Sequence, residues 1–150
     1  MGLFDAIDAS GSALSAERLR MDVTSENLAN AQTTKGADGQ PYRRKEVVLQ
    51  QAGTSGTSFS SVLASMQGAG GAKSVNGVRV SGIVEDSSAL KRLYDPGHPD
   101  ADKDGYVTMP NVNTVTEMTD LISSSRAYEA NVTAMQTAKT MFTKTLDLLR

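Results

Sequence analysis

The chain has 150 residues, 39% of them apolar and only 5% aromatic, with no tryptophan, no cysteine and a net charge of −2. That length suits one domain, or two only if both are small. There is no basic excess of the kind a nucleic-acid binder shows, no disulfide framework or thiol chemistry, and no run of the roughly eighteen apolar residues a membrane span needs.

The opening stretch, MGLFDAIDASGSALS, lacks a basic region followed by an unbroken apolar core, so a cleaved secretory signal is not expected. Its pattern is helical instead. Ile7, Leu14, Met21 and Leu28 recur every seven residues, flanked by Leu3 and Ala31 at the other heptad spacing. Ala6, Ala9, Ala13 and Ala16 form a second, narrow stripe where another helix can approach closely. The spacing predicts one helix from Leu3 to Ala31, about 43 Å long. Gly11 inside it costs about 1 kcal/mol relative to alanine, so the helix leans on packing. NAQTTKGADGQP, residues 29–41 less the first, is rich in residues that stop a helix.

The period then shortens. PYRRKEVVLQQ (41–51) reads as a strand around Val47–Leu49, its basic run a solvated edge that deters strand-to-strand association. NGVRVSGIVED (76–86) alternates through Val78 and Val80 to Ile83 after an Asn-Gly turn signal. ALKRLYDP (89–96) predicts a third short strand through Leu93 and Tyr94. Residues 52–74 are mostly Gly, Ser and Ala, a flexible composition holding one apolar island, Phe59, Val62, Leu63 and Met66.

DPGHPDADKDGYVTMPN (95–111) contains the D-x-D-x-D-G opening of a calcium loop. The twelfth position from Asp100 is Asn111, not the bidentate glutamate such a loop closes with. DPGHP cannot supply the entering helix. The segment is read as an acidic, solvated hinge ahead of a helix N-terminus. His98 is the only histidine, so neither a zinc site nor a Cys–His dyad can form. No G-x-S-x-G elbow or phosphate loop is present. No catalytic, cofactor-binding or metal residue is assigned, and an enzyme is not expected.

The last zone has the longest period. Met118, Leu121, Ser125, Tyr128, Val132, Met135, Lys139, Phe142, Leu146 and Leu149 alternate spacings of three and four. Thr114 and Glu117 have capping-box spacing, and Pro110 must precede the helix. One helix over 112–149 would be about 55 Å long. The fold class is α+β: long N- and C-terminal helices packed as a coiled-coil-like hairpin, with a small β-rich insertion. The expected divisions are 1–34, 35–110 and 111–150. The insertion has too few apolar residues to cover both helical stripes, and exposed stripes of that size point to association.

TSENLANAQTT (24–34) resembles the N-terminal signature of the bacterial flagellar axial proteins of rod and hook. PYRRKEVV (41–48), YDPGHPDADKDGYVTMPNVN (94–113) and SRAYEANVTAMQTAK (125–139) are similar to the proximal-rod branch of that family. The resemblance implies a structural subunit exported through the flagellar type III apparatus without a cleaved signal. It implies polymerisation with copies of itself, with other proximal and distal rod proteins and with the rod-to-membrane-ring junction protein. The product would be a periplasm-spanning drive shaft carrying torque to the hook, with no nucleic acid and no membrane insertion involved. The terminal helices would form the inner tube, poorly ordered before assembly. On that reading Ile7, Leu14, Met21 and Leu28 meet Tyr128, Val132, Met135, Phe142 and Leu146, within one subunit or between neighbours. Asn27 and Asn30 cap the helix end or bond the backbone of an adjacent subunit. The competing readings are another axial subunit, an exported helical interaction protein and a weak calcium-binding adaptor.

Overall fold

The computed structural model describes residues 3–36, 39–52 and 77–148, so the expected flexible tract beyond Ala52 and its apolar island lie outside the described residues. The order of elements is α1 (Leu3–Ala29), β1 (Lys45–Ala52), β2 (Gly77–Glu85), β3 (Lys91–Tyr94), β4 (Tyr106–Met109) and α2 (Thr114–Leu148). The architecture is α+β, with two long helices and two small antiparallel sheets between them in sequence.

The helices are antiparallel. Asn27 near the end of α1 meets Glu117 in the first turn of α2, while Gly11 lies against Met135, where an added Cβ would come within 3.9 Å of Cε. Gly11 weakens the helix locally, and the contact with Met135 leaves room for an alanine there. Ile7, Leu14, Met21 and Leu28 on α1, and Leu121, Tyr128, Val132 and Met135 on α2, are half-buried, as a helical pair without a third layer requires. The expected stripe continues through Phe142 and Leu146, but both are exposed.

β1 and β2 lie on α1. Val47 and Leu49 are half-buried, while Glu46, Val48 and Gln50 face outward, the alternation of a sheet covered on one side. The register slips by one residue between Val48 and Leu49, where Ser81 on β2 is the extra, bulged residue. Where β2 begins, glycine is needed for close approach: a Cβ on Gly77 would sit 2.9 Å from Ser12 Oγ. That hydroxyl accepts the Val78 amide at 3.1 Å and donates to the Ala9 carbonyl at 2.8 Å.

The acidic segment is not a hinge. It is the turn of a β3–β4 hairpin, in register from Lys91↔Met109 to Tyr94↔Tyr106. β3 falls where the sequence places it. β4, four residues between Gly105 and Pro110, is too short to show a period. The turn closes through Asp95 N to the Gly105 carbonyl at 3.0 Å. Its face toward the α1–β1 connection carries Val107, which with Ala16, Val23, Pro110 and Val112 makes up the small buried apolar core of the described residues. The α2 cap also differs from expectation. Asn113, not Thr114, is the N-cap, its Oδ1 accepting the Val115 amide at 3.1 Å. Glu117 turns away from the helix end, into the interior.

Gly105 has φ of +77°, and a Cβ there would meet Tyr94 Cε2 at 2.9 Å. Gly105→Ala is therefore expected to destabilise the fold by about 2 kcal/mol, with the left-handed backbone and the collision acting together. Urea unfolding followed by circular dichroism measures it, and an unchanged midpoint would contradict this geometry.

Candidate functional site

At the closed end of the helix pair is a buried polar clasp. Asn27 and Glu117 are each 1% exposed. The Asn27 amide fills its whole hydrogen-bonding capacity. Its Nδ2 donates to the Lys45 carbonyl at 2.8 Å and to Glu117 Oε2 at 3.0 Å. Its Oδ1 accepts the Tyr42 hydroxyl and the Lys45 amide, both at 2.9 Å. One side chain thereby joins α1, α2 and the strap that leads into β1.

Arg44, from that strap, completes the clasp. Its Nε donates to Glu117 Oε1 at 2.6 Å, and its outer nitrogens lie 3.5 Å from Asp120 and 3.9 Å from Glu46. The hydrogen bond to Glu117 is the main reason the guanidinium is held above its already high ordinary pKa. A buried carboxylate without such a partner would be costly. The Arg44 backbone amide donates to Asn111 Oδ1 at 2.8 Å, and Asn111 Nδ2 reaches the Asp86 carbonyl at 3.1 Å and Ser88 Oγ at 2.8 Å. The end of β2 and the lead-in to α2 are thus tied to the same strap. Burial, then the charges of Glu26, Glu117 and Glu85, push the Tyr42 phenol up to about 12.

Asn27 is committed inside its own chain and has no donor or acceptor left for a neighbour. Asn30 caps the helix end, as one of the two expected roles has it. Its Nδ2 donates to the Glu26 carbonyl at 2.9 Å, and its Oδ1 accepts Thr33 Oγ1 at 3.2 Å. The YRRKE run is not simply a solvated edge, because Arg44 turns inward. The carboxylate of Asp100 is engaged by Thr34 Oγ1 at 2.7 Å and Lys35 Nζ at 2.5 Å, which pins the hairpin turn to the loop after α1. Hydrogen bonding by Lys35 and then Thr34 holds its pKa below the ordinary carboxylate value. Among the described residues no cluster of three or more His, Asp or Glu side chains could hold a metal ion.

The outward side of α2 has a different character. Val115 is 71% exposed, and Met118, Ile122 and Met141 are each more than half exposed. Further along the same helix, Thr133, Thr137 and Thr140 turn their hydroxyls onto the carbonyls four residues back. Their polar atoms are satisfied internally, which suits a surface that is to pack against another helix. No helix among the described residues is long and apolar enough to cross a membrane.

Sequence reasoning missed Tyr42, Arg44, Asn111 and the inward role of Glu117. Each is polar, and polar residues carry no periodic signal when they are buried singly.

A family model described as flagella basal body rod protein matches residues 7–37, and one described as flagellar basal body rod FlgEFG protein C-terminal matches residues 103–148. The chain is 52% identical to flagellar basal-body rod protein FlgC of Bacillus subtilis over 153 aligned positions, covering 99% of each. It is 44% identical to the FlgC protein of Borreliella burgdorferi, covering 100% of this chain and 99% of that one. To the FlgC protein of Salmonella typhimurium it is 41% identical, over 99% of this chain and 98% of the other.

Asn27→Ala strands the Lys45 amide and carbonyl and one oxygen of Glu117, at about 1–3 kcal/mol for each buried group left unpaired. A loss of about 3 kcal/mol in denaturant unfolding is expected, and a loss below about 0.5 kcal/mol would refute the clasp. Tyr42 yields a pH signature. Its folded pKa of about 12 exceeds the unfolded value of about 10, so the fold favours the neutral phenol. That contribution is complete below about pH 10 and is lost as pH rises toward about 12. The alkaline fall in unfolding free energy should be shallower in Tyr42→Phe than in the wild type across that window.

Proposed function

The chain belongs to the FlgC family of flagellar basal-body rod proteins and is a structural subunit of the rod; from that premise we propose how it assembles and carries load. Subunits polymerise with copies of themselves and with other rod proteins through the sides of α1 and α2 that the hairpin leaves open. The observation that carries this reading is the apolar surface left open on the 35-residue α2: Val115, Met118 and Ile122 stand exposed on its outward side, and Leu146 is exposed where the inward stripe runs on toward the helix end. Removing apolar surface from water contributes about 25 cal/mol per Å², and a second helix layer from neighbouring subunits removes most of it.

The expected interface residues divide by depth. Ile7, Leu14, Met21 and Leu28, with Tyr128, Val132 and Met135, belong first to the hairpin and offer a neighbour only their uncovered edges. Phe142 and Leu146, farther out on α2, are the stronger anchors. The unit works in the periplasmic part of the basal body, reached through the flagellar type III apparatus without a cleaved signal. Export through a narrow channel requires an inexpensive unfolding, and the small apolar core of the described residues, built of Ala16, Val23, Val107, Pro110 and Val112, supports that. Torque loads the helix pair along and across its axis. The clasp at Asn27, Glu117 and Arg44 resists sliding of α1 on α2, because displacement would bare a buried charge.

Replacing exposed apolar positions separates folding from assembly. Val115→Asp and Leu146→Asp should each leave monomer stability within about 0.5 kcal/mol. Cells carrying either as the sole copy should lose swimming and lack complete basal bodies in electron micrographs. Full swimming with both substitutions together would reject assembly through these open sides of α2.

A further inference from the structure

The β3–β4 hairpin has two faces, fixed by its register. Leu93 and Val107 share one face, on which Val107 is buried and Leu93 more than half exposed, and Arg92, Tyr94 and Tyr106 share the other. Tyr94 is 63% and Tyr106 40% exposed, with ring centroids 5.2 Å apart in an edge-to-face pair and the Arg92 guanidinium 4.9 Å over the Tyr106 ring. The pair is therefore a preset, rigid platform rather than two loose side chains. At its turn end stands Asp104, exposed and without an ion pair or hydrogen bond among the described residues, beside exposed Asp102. Aromatic surface bordered by free carboxylate suits a partner that presents aliphatic surface bordered by a free cation.

The same chain presents such a surface elsewhere. Met118, Ile122 and Arg126 lie four residues apart along the outward side of α2, one row of neighbouring side chains. Met118 and Ile122 are exposed, and Arg126 is exposed with no ion pair or hydrogen bond among the described residues. We propose that the Tyr94–Tyr106 platform of one copy seats on Met118, Ile122 and Arg126 of the next copy, with Asp104 pairing Arg126 across the contact. The two surfaces are different patches of one molecule, so the contact is head-to-tail and repeats from copy to copy instead of closing a pair. This rests on the rod reading and adds to it a specific lateral contact. Tyrosine and arginine are also the residue types that dominate protein interfaces.

The chain has no cysteine, so Asp104→Cys together with Arg126→Cys introduces its only thiols. With this double variant as the sole copy, basal bodies are isolated, mildly oxidised and run on a non-reducing gel. Cross-linked dimers and higher multimers are expected from the double variant, and monomer alone from either single variant. A double variant that is incorporated yet stays monomeric would overturn the contact while leaving the rod reading intact. A wild-type chain absent from basal bodies would remove the rod reading and this contact with it. Charge reversal decides the matter if the cysteines disturb folding. Arg126→Glu should cut incorporation about tenfold or more through like-charge opposition to Asp104, and adding Asp104→Arg should restore it. Unchanged incorporation of Arg126→Glu, or no rescue by the second reversal, counts against the proposal.

Discussion

A carboxylate that cannot reach water constrains this molecule more than any other group. Glu117 sits buried in the first turn of α2, and its two oxygens are met by Arg44 Nε and Asn27 Nδ2. Each of those partners is fixed in turn, Asn27 by Tyr42 and the Lys45 backbone and Arg44 by its backbone bond to Asn111. Because the network is fully satisfied, it sets one relative position for two helices and the strap between them. A partly satisfied version would be worse than an apolar core of the same size, so the members stand or fall together.

The remainder of the fold holds little in reserve. Ala16, Val23, Val107 and Val112 are small, and none supplies the contact area of a buried aromatic ring. Specificity within the subunit comes from polar geometry, and much apolar surface on α2 stays exposed. That division suits the proposed assembly, in which neighbouring subunits complete the burial. The hairpin is held by related means. Asp100 ties its turn to Thr34 and Lys35, and Lys91 Nζ reaches the Val112 carbonyl at 3.1 Å. These bonds aim the outward tyrosines away from the body of the subunit.

The helices are legible in the amino-acid order. Ile7, Leu14, Met21 and Leu28 repeat at seven, and the C-terminal stripe runs for more than thirty residues without Gly or Pro, so helix type and pairing followed from period alone. Leu93 and Tyr94 identified β3. Its partner went unseen because Tyr106–Met109 is too short to repeat anything, and the aspartates before it drew a metal-loop comparison instead. The inward Arg44 lay within a run of charges whose default reading is solvation.

The amino-acid order by itself determined which segments are helical, which faces are apolar, that the apolar faces outrun the insertion meant to cover them, and the family these segments resemble. Only the tertiary structure decided that Asn27 and Glu117, ninety residues apart, meet in the dark, and that Arg44 turns in while Arg126 stays out. Periodicity reports the hydrophobic effect, which acts through local repeats of side chains along one element. A buried hydrogen bond depends on the distance between two atoms, and chain folding sets that distance without leaving a trace in the local pattern.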